Sequence, residues 1–161
     1  MLETGAKDGD YLTSQNLIIR PAQATDSSAL VTCIDAAYAQ YTERIFDMPA
    51  VSDGCAEDIA TNQVWVAVKG DEVVAGLVLI AGDGFMKLAN LAVHPYHSGM
   101  GLGRELITLA ERETKRQGYA EMRLYTHVDM PENVRLYQHL GWAEVSRSGS
   151  TVSMAKHLPN D

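Results

Sequence analysis

The sequence is poor in the residues that mark several common protein classes. Its two cysteines, Cys33 and Cys55, stand far apart with no C-x-x-C spacing, which excludes a disulfide framework or a zinc ribbon. Cations are scarce: 13 Lys and Arg face 21 Asp and Glu, for a net charge of −8. The clustered cations that phosphate-backbone binding requires are therefore missing, so no nucleic-acid partner is expected. A cationic partner is easier to accommodate. Nowhere does the chain approach the roughly 20 uninterrupted apolar residues that span a bilayer. Met1–Gln15 also lacks the apolar run of about 7 or more residues that a secretory signal carries, so the expected location is cytoplasmic, without a membrane partner. No G-x-x-x-x-G-K-[ST] occurs, excluding a nucleotide P-loop, and neither Pro nor Gly is in the excess that marks fibrous or disordered chains.

What remains has the make-up of an ordinary globular domain. Its 161 residues allow one substantial core and are too few for two domains of usual size. Met1–Gln15 is rich in Gly, Asp, Ser and Thr without periodicity and is expected to be a mobile tail, leaving residues 16–161 as the single domain. Leu17–Arg20 reads as a short strand ended by Pro21. Ala24-Thr25-Asp26 offers capping side chains for a helix with the stripe Leu30, Cys33, Ile34, Ala37, Tyr38. Cys33 belongs to that stripe, as a small buried hydrophobe does. A polar, aromatic segment, Tyr41–Glu57, precedes a short helix expected over Asp58–Asn62. Val64–Val68 and Val73–Ala81 form a hairpin around Gly70-Asp71, and Gly82-Asp83-Gly84 turns the chain into a third strand, Phe85–Val93.

The clearest helix is Gly101–Gln117, where Leu102, Leu106, Leu109 and Ala110 make an apolar stripe and Gly118 stands at the C-cap. Glu121–Val128 alternates as a strand. Pro131 opens a helix whose inner face is Val134, Tyr137 and Leu140, stopped by Gly141. Trp142–Val145 and Ser150–Ala155 close the chain as strands. The order β-α-α-β-β-β-α-β-α-β-β describes a mixed α/β sheet without internal repeats.

One segment carries chemistry. Leu91–Val93 ends a strand, Ser98-Gly99-Met100-Gly101-Leu102-Gly103-Arg104 places glycine at every second position, and an amphipathic helix follows at once. Bare backbone N–H groups and a helix N-terminus presented together form an anion site, and a diphosphate fits it. Side chains at Gly99, Gly101 and Gly103 would block the phosphate oxygens or demand an unfavourable φ. A dinucleotide fold is disfavoured, because the spacing is G-x-G-x-G instead of G-x-G-x-x-G and the motif follows three hairpin strands instead of opening a βαβ unit.

Leu91–Pro95, Ser98–Gly103 and the helix after them resemble, in order, the signature of the GNAT superfamily of acyl-coenzyme A-dependent N-acyltransferases. Met130-Pro-Glu-Asn-Val-Arg-Leu-Tyr137 through Trp142 is similar to that family's second helix. Ser98 departs from the Gln or Arg usual at the first signature position, which leaves the pyrophosphate to backbone amides, the helix N-terminus and Arg104. The resemblance implies a mostly antiparallel sheet with a central splayed pair of parallel strands, flanked by helices. It implies acetyl-coenzyme A as cosubstrate, with the pantetheine arm along Leu91, Ala92 and Val93 and pairing with main-chain groups at Leu91 and Val93, the diphosphate on Ser98–Arg104, and Asn133 and Tyr137 beside the arm and the sulfur. Homodimers are common in such proteins. The implied reaction is direct acetyl transfer to a primary amine, small-molecule or peptide, in a ternary complex. The competing reading is a coenzyme A-binding sensor of the same fold that does not turn over.

The residue types suit that chemistry. An alkylamine with a pKa near ~10.4 must lose a proton before it attacks, and a thiolate with a thiol pKa near ~8.5 leaves more readily when a hydroxyl gives it a proton. Tyr137 is the expected proton donor. Asn90, on the motif strand, holds an amide where a basic carboxylate would serve. Glu43, Asp47, Glu57 and Asp58 are candidates to act on the amine through water. Tyr38, Tyr41, Arg44 and Asn90 are the expected pocket walls. His94-x-x-His97 has too few companion ligands for zinc, so no metal is expected. Cys55 lacks a neighbouring base for a covalent intermediate.

Overall fold

The computed structural model describes residues 3–4, 10–13, 16–45 and 52–159, the first two as backbone alone. Among them a single sheet forms from β1 (Glu3–Thr4), β2 (Tyr11–Leu12), β3 (Ile18–Pro21), β4 (Gln63–Lys69), β5 (Glu72–Ala81), β6 (Met86–Val93), β7 (Glu121–His127), β8 (Ala143–Ser148) and β9 (Thr151–His157). Its strand order is β1-β2-β3-β4-β5-β6-β7-β9-β8. The helices are α1 (Ser27–Thr42), α2 (Cys55–Thr61), α3 (Leu102–Arg116) and α4 (Pro131–His139). All strand pairs are antiparallel except β6 with β7.

Alternation along the central strands explains why helices cover both faces. In β4, Trp65 and Ala67 enter one core with Leu77 and Leu79 of β5, Leu102, Leu106 and Leu109 of α3, and Val134 and Tyr137 of α4. Val64, Val66 and Val68 enter the other, with Leu30, Cys33 and Ile34 of α1 and Cys55 of α2. A period-2 strand buried on both faces needs such a layer on each side. The α1 layer lies close to the sheet: a Cβ at Gly76 would meet Leu30 Cδ1 at 2.4 Å.

Two short strands are described within the stretch expected as a tail. β2 pairs with β3 through Tyr11↔Ile19 and Leu12↔Ile18, and β1 pairs with β2. Thr13 is tied to Leu17: its N–H donates to the Leu17 carbonyl at 2.8 Å, and its hydroxyl accepts the Leu17 N–H at 3.0 Å. The Arg112 guanidinium of α3 lies over the Tyr11 ring, 5.7 Å from its centroid. Strands of two residues are too short to leave a periodic signal in sequence.

Smaller differences have local causes. α2 begins at Cys55, ahead of the expected Asp58, because Gly54 takes a left-handed φ of 81° at its N-cap. β8 begins after Trp142, whose indole is buried against Tyr137 with ring centroids 5.6 Å apart. Asp26 does not cap α1 with its side chain. Its carboxylate instead accepts the Gln23 N–H at 2.7 Å and both guanidinium arms of Arg20, at 2.8 and 3.0 Å, tying β3 to the entry of α1.

Candidate active site

The site begins where two parallel strands part. β6 and β7 are in register only at Met86↔Met122 and Lys87↔Arg123, whereas β6 stays paired with β5 through Ala75↔Val93. Between Val78 and Leu79 that pairing shifts, so Ala89 is an extra residue on β6. Such a bulge bends the strand. From Leu88 onward the β7 side of β6 is therefore an open edge.

Which main-chain groups face that edge follows from alternation. The His94 N–H donates to the Val74 carbonyl at 2.8 Å, so His94 and, two residues earlier, Ala92 turn toward β5. Ala92 also buries its side chain against the α1 layer. Leu91 and Val93 consequently present their N–H and C=O groups to the gap. These are the two residues whose main chain the resemblance leads one to expect at a pantetheine arm, with Ala92 between them turned to β5.

The cleft between the strands is lined by Tyr38, Asn90, Leu91, Thr126, Asn133 and Tyr137, with Leu88, Ala89, Leu124 and Tyr125 completing its walls. Tyr137 comes from α4, where Pro131 opens the helix and Gly141, at φ 96°, follows its end. Its ring is buried, and burial pushes its phenol above the ordinary range, with nearby Tyr38 adding to the effect. A phenol so placed keeps its proton at neutral pH. Asn133 lies one helical turn earlier, its amide 4.0 Å from Met130 Sδ. Tyr38 reaches in from α1, and its hydroxyl donates to the Leu91 carbonyl at 3.4 Å. Desolvation pushes its pKa up to about 12.

At the end of β6 the chain makes a short 3₁₀ turn, Pro95–His97, in which His94 Nδ1 accepts the Tyr96 N–H at 3.2 Å. The Ser98 hydroxyl donates to the Pro95 carbonyl at 2.8 Å. Gly99 and Gly101 follow with φ of 78° and 83°, and a Cβ on either would meet no protein atom within 4 Å. Those two positions require glycine for backbone conformation and leave open space above the turn. Gly103 differs from expectation: its φ is ordinary, and a Cβ there would stand 3.7 Å from Val93 Cγ2. Gly101 is the N-cap of α3. The amides of Leu102, Gly103 and Arg104 thus open the helix without acceptors one turn back, beneath an exposed surface formed by Ser98, Gly99, Met100 and Arg104. The Leu102 side chain is buried in the core, so its contribution to this surface is its N–H.

Tyr41 and Arg44, expected as pocket walls, do not line the cleft; they take part in a contact between the end of α1 and α4. Arg44, just past α1, pairs with Glu132 of α4 at 2.7 Å and lies 5.1 Å from the Tyr41 ring centroid. Burial opposes ionisation of Glu132, but its own backbone amide together with Arg44 and Tyr41 lowers its pKa. Sequence reasoning misses Glu132; its only signal there is its place beside Asn133. The candidate bases are not brought together. Glu43 follows the end of α1, Glu57 is exposed on α2, and Asp58 accepts the Asn62 amide at 3.0 Å. None of these three lines the cleft, and Asp47 lies outside the described residues. Both cysteines are buried, and desolvation raises both thiols, Cys33 to about 11.

A strand that parts from its parallel neighbour, a glycine turn capping the next helix and a tyrosine facing the gap coincide with a sequence match to the acetyltransferase (GNAT) family over residues 32–142. The chain belongs to the GNAT family of acetyltransferases. Solved GNAT structures share its fold. A PaiA N-acetyltransferase from Thermoplasma acidophilum, solved in complex with coenzyme A, superposes with a TM-score of 0.76 at 20% identity, covering 88% of this chain and 98% of that one. The ribosomal-protein-S18-alanine N-acetyltransferase from Escherichia coli gives 0.73 at 19% identity, over 89% and 94%. An acetyltransferase from Thermus thermophilus gives 0.73 at 18%, over 88% and 97%. No curated protein matches the chain. GNAT membership and the mixed, mostly antiparallel sheet agree with the fold expected from the sequence. No helix among the described residues is long and apolar enough to cross a membrane.

Proposed function

We propose that this GNAT protein is an N-acetyltransferase that passes the acetyl group of acetyl-coenzyme A directly to a primary amine in a ternary complex. The observation that carries this reading is the open β6 edge, with Leu91 and Val93 facing the gap and the Tyr137 phenol on the opposite wall. The arm would lie along that edge, its amides pairing with Leu91 and Val93. The diphosphate would rest on the amides from Gly99 to Arg104, where positive-φ glycines leave room and the helix N-terminus favours an anion. The bound thioester supplies an activated acetyl group.

This chain's residues would then act on a short list of atoms. Asn133 orients the arm. Leu91 and Val93 hold it as an added strand would be held. Tyr137 gives its proton to the sulfur as the new C–N bond forms and the C–S bond breaks, so the thiol leaves neutral, and the proton shed by the acylated nitrogen returns to the Tyr137 oxygen through water. Its phenol is protonated when the amine attacks, as a donor must be. Two buried thiols with raised pKa values favour direct attack over an acetyl-cysteine. The net charge of −8 favours a cationic acceptor, whether a small molecule or a peptide.

The test is release of free coenzyme A from acetyl-coenzyme A across a panel of primary amines, paired with melting curves in coenzyme A, NAD and ATP. Turnover with at least one amine and stabilisation by coenzyme A alone is the expected result, since only a ligand of the folded state raises the melting temperature. Stabilisation without turnover on any amine would return the protein to a sensing role.

A further inference from the structure

The side chains at and just past the end of α1 contact both β6 and α4. Tyr38 and Tyr41 lie three residues apart on α1 and are neighbours on its surface, and Arg44 follows just past the end of the helix. The rings of Tyr38 and Tyr41 are 5.9 Å apart, Arg44 stacks on Tyr41 at 5.1 Å, and Arg44 holds Glu132 of α4 at 2.7 Å. On the β6 side, Tyr38 holds the main chain at Leu91.

That last contact is unusual in its target. Leu91 faces the side from which β7 has departed, so its carbonyl has no strand to accept from, and an unmet carbonyl in a half-buried cleft is costly. The Tyr38 hydroxyl meets it. At 3.4 Å the bond is long beside the roughly 2.5–3.0 Å usual for O–H···O, so it satisfies the carbonyl weakly. Its oxygen also stands in the same cleft as Asn90, Asn133 and Tyr137, in the path of anything that would lie along the β6 edge.

We infer that the Tyr38 hydroxyl is a placeholder for the pantetheine arm, holding the Leu91 carbonyl while the cleft is empty and giving it up when an arm amide docks, so that Tyr38 sets the affinity for arm-bearing ligands. The inference rests on the coenzyme A reading above. Arm binding trades one weak internal hydrogen bond for one well-formed bond to the ligand. Removing the Tyr38 hydroxyl removes the competitor, and the ring that packs against Tyr41 remains.

The experiment is calorimetric titration of the parent protein and Tyr38→Phe with two probes. One is coenzyme A; the other is 3′-phosphoadenosine 5′-diphosphate, which carries the diphosphate without the arm. The expected result is coenzyme A binding about three- to tenfold tighter in Tyr38→Phe, the range one modest hydrogen bond allows, with the arm-free probe unchanged. Equal or weaker coenzyme A binding by the variant overturns the inference, as does an equal shift for both probes, which reports a general change in the fold. A parent protein that does not bind coenzyme A overturns the coenzyme A reading itself, and this inference with it. In the parent protein labelled with 13C at the tyrosine ring carbons, the Tyr38 Cζ resonance should move on adding coenzyme A and stay in place with the arm-free probe. A resonance indifferent to coenzyme A overturns the placeholder role even if the variant does not fold.

Discussion

Replacing Tyr137 with Phe removes one oxygen from the wall of the cleft and little else. The ring keeps its edge contact with Trp142, at 5.6 Å between centroids, and its place in the core beside Val134. Stability should therefore stay within about 0.5 kcal/mol of the parent, since loss of a hydroxyl from an apolar site is close to neutral when no partner is orphaned. Catalysis should respond differently. A positioned proton donor contributes on the order of 10²–10⁴ in rate, and water entering the open cleft recovers part of that. The expected kcat is lower by about ten- to a thousandfold, or ~1.4–4 kcal/mol of barrier. KM for acetyl-coenzyme A should change little, because the proton is needed only as the sulfur departs. The assay is single-turnover release of coenzyme A with the best amine of the panel, under conditions where the chemical step limits. Melting curves of both proteins serve as the control. Burial raises the phenol above its ordinary 10.0, so the rate of the parent should show no loss of this proton until the pH exceeds that value. An unchanged single-turnover rate in Tyr137→Phe would remove Tyr137 from the mechanism and leave it a core aromatic.

Gly101→Ala and Gly103→Ala should separate fold from binding. The first forces a side chain into a φ of 83° and should destabilise by about 1–2 kcal/mol; the second, at an ordinary φ inside α3, should hold or slightly raise the melting temperature while weakening coenzyme A binding through the added methyl. Equal coenzyme A affinity in both variants and the parent would show the diphosphate cradle to be misassigned. Stability should decline as pH rises from about 9, because the folded chain retains protons that the unfolded chain releases: Cys33 is raised from 9.0 to about 11 and Tyr38 from 10.0 to about 12. Thermal melts in this range should fall less steeply for Cys33→Ala than for the parent, and parallel slopes would refute the assignment. Asp26 is the acid-side counterpart. Hydrogen bonding from Arg20 lowers its pKa below 3.8, so its stabilisation is present above that pH and is lost as pH falls through the folded value. Asp26→Ala should cost about 1–3 kcal/mol at neutral pH, measured by urea unfolding, and a variant as stable as the parent would show that the Arg20 pair carries no net energy.

The local sequence determined the parts of this protein whose physics is local. Glycines at 99 and 101, then the stripe Leu102, Leu106 and Leu109, announce a left-handed turn feeding a helix, and the chain builds it at those residues. Alternation in Val64–Val68 and Val73–Ala81 announces strands, since period 2 needs no partner to be visible. Tyr137 was legible as an inward-facing residue from its spacing to Val134, and its link to a thioester came from resemblance to the GNAT family. Other features depend on residues distant in sequence, and only the tertiary structure decided them. The parallel contact of β6 with β7 stops after Lys87↔Arg123, and nothing within either strand marks that point. The direction of the Leu91 carbonyl depends on the bulge at Ala89 and on the register with β5. Tyr38 meets Leu91 across 53 positions, and Arg44 meets Glu132 across 88. Each contact joins residues that share no local pattern, so the pairing itself left no trace in the sequence. Folding alone brings Tyr38 and Leu91 together in one cleft.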